Sequence, residues 1–107
     1  MATKRLDWSM IRGDTFAFNI EIENLEVDLS SLTFTCRTYK DREILFQKTL
    51  EDGCAKIDDG KYQIRVAPED TEDAQDGTYC IDLQAEWGTD RYTLLSGTLK
   101  ILQDETY

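Results

Sequence analysis

The sequence predicts an all-β domain, an antiparallel sandwich or barrel of about seven to nine short strands. Apolar and polar residues alternate along several segments, which is the period of a strand with one face buried and one in water. Turn-forming residues separate these segments, and no stretch has the apolar spacing of a long amphipathic helix. The 107 residues suit one domain, so we assign residues 1–107 to a single domain.

The strands can be placed in order along the chain. Residues 6–11 form the first, and residues 16–23 show the clearest alternation of large apolar with polar side chains. Residues 61–66 alternate in the same way, and Asp59-Gly60 ahead of them is a favoured tight turn, so residues 57–62 form a hairpin tip. The remaining strands are predicted at residues 32–39, 44–50, 78–87 and 91–102, the last of them bulged near Ser96-Gly97.

One short helical crossover interrupts the strands. The segment PEDTEDAQDG begins with Pro68 and has an acidic first turn, both of which favour the start of a helix. We therefore expect a single helical turn near residues 68–76, crossing between two sheets.

The segment DGTYCIDLQAEW, which follows, predicts which sandwich this is. A Tyr at the start of a strand that crosses between sheets is typical of immunoglobulin-type sandwiches, where its hydroxyl bonds to upstream backbone. Tyr79 takes that place. In antibody-like domains the Tyr precedes a core Cys by two positions, but Tyr79 and Cys80 are adjacent and must face opposite sides. Because Cys80 leaves the core while Cys36 shares a face with Leu32 and Phe34, we predict free thiols.

Composition excludes several kinds of chemistry. The chain has three cysteines, without a CxxC spacing, and no histidine, so a zinc site, a Cys-His pair and a Ser-His-Asp triad are excluded. A formal charge of −10 repels phosphate backbones and anionic lipid, so neither nucleic acid nor membrane is an expected partner. The N-terminus has no apolar run, so no signal peptide is expected and the chain is predicted to be made in the cytoplasm.

Four groups of residues remain as candidate sites. Five acidic residues of the crossover could bind calcium, but they lack the EF-hand spacing: Glu69, Asp70, Glu72, Asp73 and Asp76. Glu21 and Glu23 resemble a hydrolase carboxylate pair, but any acidic strand supplies such pairs. The aromatic residues could stack on sugars or fill the core: Trp8, Tyr39, Trp87 and Tyr92. We predict no catalytic residue, metal or cofactor, and no binding residue can be assigned.

The tripeptide Arg12-Gly13-Asp14 is the fourth group. Adhesion motifs of this kind need a mobile, extended loop, whereas only one residue separates Asp14 from the strand that begins at Phe16. We expect Gly13 to permit a backbone twist between the first two strands, with Arg12 and Asp14 at the surface.

Taken in order, RGDTFAFNIEIE, VDLSSLTFTCR, DGKYQIRVAPEDTEDAQDGTYCIDLQ and TLLSGTLKIL resemble small tail and baseplate domains of bacteriophages of Gram-positive hosts. The chain is similar to the immunoglobulin-like N-terminal domain of phage baseplate upper proteins, over most of its length. The resemblance implies a non-catalytic structural or assembly module of a phage or prophage virion. Its expected partners are other virion proteins, including further copies of itself. Baseplate upper proteins continue into helical and receptor-facing parts, whereas this sequence ends at Tyr107, so we expect either a free-standing virion component or a fragment.

The alternative function is a carbohydrate-recognition domain that contacts the host surface. Exposed, coplanar Trp and Tyr side chains in a groove would favour it, and burial of Trp8 and Trp87 would count against it. For the structural module, edge strands are the predicted docking elements, because an unpaired strand offers backbone donors and acceptors to a partner.

Overall fold

The computed structural model describes residues 4–22 and 28–103. The strands are β1 (Lys4–Ile11), β2 (Phe16–Glu21), β3 (Ser31–Thr38), β4 (Ile44–Leu50), β5 (Gly53–Asp58), β6 (Lys61–Val66), β7 (Gly77–Trp87) and β8 (Asp90–Leu102). A helical turn, α1 (Pro68–Thr71), lies between β6 and β7. Within the described ranges no helix is long and apolar enough to cross a membrane. Glu23, assigned above to the second strand, lies outside these ranges.

The eight strands form one mixed sheet in the order β1-β8-β7-β3-β4-β5-β6-β2. The all-β prediction and the predicted strand number are confirmed. The prediction of a purely antiparallel sheet is wrong, because β1 runs parallel to β8 and β4 runs parallel to β5. β1 and β8 are the first and last strands, with six strands between them in the chain, so no hairpin joins them and they can run in the same direction.

The sheet curls into a nearly closed barrel whose two end strands are β1 and β2. Aromatic side chains bring these ends together. The Trp8 ring on β1 lies 5.3 Å from the Phe16 ring and 4.6 Å from the Phe18 ring on β2. Side-chain packing therefore bridges the two sheet ends, which are not paired by backbone hydrogen bonds.

Alternation decides which side chains fill the barrel. Along β6 every second residue is buried, and β7 buries Tyr79, Ile81, Leu83 and Ala85 while Cys80 and Asp82 face outward. These are the faces that the sequence predicts. The largest fully buried apolar side chains are Tyr62, Phe34, Leu32, Ile64, Leu83, Leu99, Ile101 and Val66. Their burial supplies the main favourable term in folding.

The predicted hairpin at Asp59-Gly60 joins β5 to β6, with Gly60 at φ 71°. The register shifts between Lys56 and Asp58, which leaves Ile57 unpaired and 52% exposed. The last strand is also bulged near the predicted position, at Leu94, which lies between the partners of Leu83 and Gln84. Gly97 lies where β1 passes so close that a methyl group would overlap the Leu6 carbonyl.

The predicted helical turn is confirmed as α1, which is shorter than residues 68–76 and connects β6 to β7 within one sheet. Its Asp70 accepts a hydrogen bond from the Ala67 N–H at 2.7 Å and pairs with Lys48 Nζ of β4 at 2.6 Å. The two ion-paired side chains are only 13% and 15% exposed. Truncating one partner would leave a poorly solvated charge, so this pair ties α1 to the sheet.

The tyrosine corner predicted from DGTY is present. Tyr79 Oη donates a hydrogen bond to the Gln75 carbonyl at 2.7 Å, just upstream of β7. The bond fixes the path by which the chain leaves α1 and enters the barrel wall.

We predict that Gly97→Ala destabilises the protein by roughly 1–3 kcal/mol, because overpacking forces β1 away from β8. Urea unfolding followed by circular dichroism would measure the change. Ser96→Ala is the matched control, since its side chain lies on the outer face. Equal stability of the two variants would show that β1 does not pack this closely.

Tyr79→Phe removes the hydroxyl and leaves the ring in place. We expect a loss of about 1–2 kcal/mol in the free energy of unfolding, because the Gln75 carbonyl loses its partner. Tyr39→Phe changes the same atom on a side chain that is 65% exposed, and it should alter stability little. An effect of equal size in both variants would rule out the tyrosine corner as a stabilising contact.

Candidate functional site

A shallow depression of about 210 Å³ crosses the outer face of β1, β8, β7 and β3. We name it the arginine groove and define it by Arg5, Arg37, Arg42, Cys80, Asp82 and Ser96. Strand register builds most of it. Arg5 pairs with Ser96, Ser96 with Asp82, and Cys80 with Arg37, so residues from four strands meet on one face.

Arg42 comes from the β3–β4 hairpin and needs a special backbone conformation. Its φ is 61°, a region that costs energy for residues with a side chain. Thr38 closes the hairpin: its N–H donates to the Glu43 carbonyl at 2.8 Å, and its carbonyl accepts from the Arg42 N–H at 3.0 Å. This turn lets Arg42 Nη1 donate to Cys80 Sγ at 3.3 Å.

The guanidinium groups of the groove have weak partners. Arg37 lies 3.5 Å from the Asp82 carboxylate, and Arg5 lies 3.7 Å from Asp7. Both distances are long for charge-assisted hydrogen bonds, which are usually near 2.8 Å, whereas Lys48 and Asp70 are 2.6 Å apart. Each guanidinium carries five N–H donors. The groove therefore keeps donors available to an anionic group.

The groove also contains the most accessible thiol. Cys36 and Cys54 are buried, whereas Cys80 is partly exposed, and all three are free thiols as predicted. Burial, with a smaller effect of Cys80, raises the pKa of Cys36 to about 12. Burial likewise raises the pKa of Cys54 to about 11. Since the thiolate is the reactive form, Cys36 and Cys54 are protected from reaction at neutral pH.

Arg12-Gly13-Asp14 forms a turn, as the sequence predicts. The Asp14 N–H donates to the Ile11 carbonyl at 3.1 Å, and Gly13 has φ 83°, as a type II turn requires. The expectation that Arg12 projects at the surface is wrong. Arg12 is half-buried, because its Nη1 donates to the Ala74 carbonyl at 3.2 Å after α1. Asp14 is exposed.

The crossover carboxylates do not converge. Asp70 is committed to Lys48 and to the Ala67 N–H, while Glu69, Glu72 and Asp73 point to solvent. In the described part of the chain, no three His, Cys, Asp or Glu side chains lie together as metal ligands would. Glu21 is exposed on β2, and its suggested partner Glu23 lies outside the described residues.

The aromatic residues do not form a shared flat platform. Trp8 packs between the end strands, as described above. The Trp87 and Tyr92 rings stack on each other at 4.3 Å with an interplanar angle of 23°, so each covers one face of the other. Tyr39 lies elsewhere, on the β3–β4 hairpin, and is highly exposed. A sugar could therefore stack on one aromatic ring at a time at these positions.

Sequence reasoning did not find the arginine groove. Alternation placed Cys80 and Asp82 on one outward face, and that signal was correct. Arg5 and Arg37 could not be added, because alternation does not show which strands are neighbours. The position of the Arg42 side chain depends on a left-handed backbone conformation, which the sequence Asp41-Arg42-Glu43 does not predict.

Comparison with known proteins adds no assignment. No protein-family model matches the chain, and no curated protein matches it significantly.

We predict that one of the three thiols, Cys80, reacts rapidly with Ellman's reagent in the folded protein, and that the other two react only on unfolding. Cys80→Ser should abolish the rapid phase, whereas Cys54→Ser should retain it. Absorbance at neutral pH follows the reaction. A rapid phase that survives in Cys80→Ser would contradict this placement of the thiols.

Proposed function

We propose that this chain is a non-catalytic structural or assembly module of a phage or prophage virion, associated with the tail or baseplate. It acts through protein–protein interaction. The single observation that carries the interaction role is the arginine groove, which offers weakly paired cationic groups on an otherwise acidic protein. Arginine is enriched at protein interfaces because its guanidinium binds carboxylates in a defined geometry.

The contacts between the resembling motifs support the phage assignment. The RGDT turn and the PEDT crossover meet directly, since the Gly13 N–H donates to Thr71 Oγ1 at 2.9 Å. The DGTY motif supplies the corner bond from Tyr79 to Gln75. Two of the motifs that carry the resemblance are therefore in direct contact, and the third bonds to the segment that follows α1.

The joint between β4 and β5 supports an immunoglobulin-like sandwich as the finer architecture. Only two residue pairs join these strands, at Thr49–Gly53 and Leu50–Cys54. Glu51, at φ 68°, turns the chain there. On this proposal β1, β8, β7, β3 and β4 form one sheet and β5, β6 and β2 form the other, with the corner passing the chain between them.

The edge strand β1 extends the binding surface. It has β8 as its hydrogen-bonded neighbour on one side and lies at the end of the strand order. Arg5, on β1, belongs to the groove, so a partner can contact the sheet face and its edge together. The geometry of Trp8 and of the Trp87–Tyr92 stack makes a protein partner a better fit than a sugar.

Immunogold labelling of induced phage particles tests the virion assignment. With an antibody raised to the purified chain, we expect label confined to the tail end. Serum absorbed with the purified chain is the control. Unlabelled particles, with the protein left in the soluble lysate, would overturn the virion role and leave a free binding protein.

A further inference from the structure

We propose that the arginine groove binds the acidic crossover of a second copy of this chain, so that copies associate head to tail. The acidic crossover is defined here by the exposed carboxylates Glu69, Glu72, Asp73 and Asp76. This inference rests on the proposed function and names one partner for the same surface.

The groove supplies the cationic half of the contact. Arg5, Arg37 and Arg42 line it, and the lining includes the carboxylate of Asp82 as their counter-charge. The side chains of Arg37 and Asp82 are about one-third exposed and stand 3.5 Å apart, so an incoming carboxylate can compete for the guanidinium. The depression is shallow, so the exposed side chains of another molecule can reach its guanidinium groups.

The crossover supplies the anionic half. Its four exposed carboxylates make no ion pair within the described residues, whereas Asp70 in the same segment is held by Lys48. The backbone that carries them is fixed on both sides. Thr71 accepts from the Gly13 N–H, and the Gln75 carbonyl accepts from Tyr79. The carboxylates are therefore presented on a rigid support, which lowers the entropy lost on binding.

The two surfaces belong to different parts of one molecule. The groove covers the outer face of β1, β8, β7 and β3, whereas the crossover is clamped to β4 by the Lys48–Asp70 ion pair. A crossover held in this way cannot fold over onto its own groove, so the contact needs a second molecule. Because the two patches differ, the contact is heterologous and repeats into a ring or a filament.

Net charge sets the conditions for this contact. Two chains of charge −10 repel each other at long range, but the Debye length is about 8 Å at physiological ionic strength, so the repulsion is largely screened. Contact pairs at the groove act at shorter distances. Association should therefore be detectable at roughly physiological ionic strength, about 0.15 M salt. It should weaken at very low salt, because the repulsion between the two chains is then less screened.

Sedimentation velocity of the full chain tests the proposal with two charge-reversal variants. The groove variant, Arg37→Glu/Arg42→Glu, has an acidic groove and a native crossover. The crossover variant, Glu72→Arg/Asp73→Arg, has a native groove and a basic crossover. We expect each variant alone to lose association by about tenfold or more, since like charges then face each other. Mixing the two should restore association through the native groove of one and the native crossover of the other.

Lys61→Glu/Arg65→Glu is the matched control, because it reverses two exposed charges on β6 and has the same net charge as the groove variant. It should associate as the unmodified chain does.

If either reversal fails to fold, Arg37→Gln/Arg42→Gln or Glu72→Gln/Asp73→Gln replaces it and should also weaken association. A chain that stays monomeric at all concentrations overturns the proposal, as does association that neither reversal changes. Either result leaves the immunogold test of the virion role unaffected.

Discussion

The hydroxyl of Thr71 is fully buried and accepts a hydrogen bond from the Gly13 N–H, 58 residues away along the chain. A buried hydroxyl without a partner costs free energy, so the turn after β1 and the crossover before β7 must stay in contact. Two further contacts close around it: the Lys48–Asp70 ion pair and the bond from Arg12 to the Ala74 carbonyl. These contacts together hold the turn after β1, the crossover and β4 against one another.

The contact that closes the barrel, between β1 and β2, differs in kind from the contacts between paired strands. Seven strand pairings are made by backbone hydrogen bonds, whereas β1 and β2 meet through the rings of Trp8, Phe16 and Phe18. Aromatic packing is strong but does not satisfy strand edges. The strand order thus keeps two ends, at β1 and β2, and the groove lies beside the β1 end.

Burial separates the ion pair that stabilises the fold from the ion pairs that lie in solvent. Lys48 and Asp70 are mostly removed from solvent and make a short contact, so they act as an internal clamp. The pair between Arg5 and Asp7 is exposed and long, and it contributes little to stability. The same side-chain chemistry therefore stabilises the fold in the buried pair and contributes little to stability in the exposed pair.

The sequence by itself determined the all-β class, the strand faces, the Asp59-Gly60 hairpin, the crossover and the Tyr79 corner. These features depend on alternation or on residues close together in the chain, where local stereochemistry decides the conformation. It also placed Cys80 and Asp82 on one outward face of the candidate site.

Only the tertiary structure decided that β1 runs parallel to β8, that Arg12 turns inward to Ala74, and that Arg5 and Arg37 share a groove. Each depends on which strands or loops become neighbours across some 30 to 90 residues of chain. A period of two specifies the face of a side chain but not its partner strand, because every alternating strand carries the same pattern.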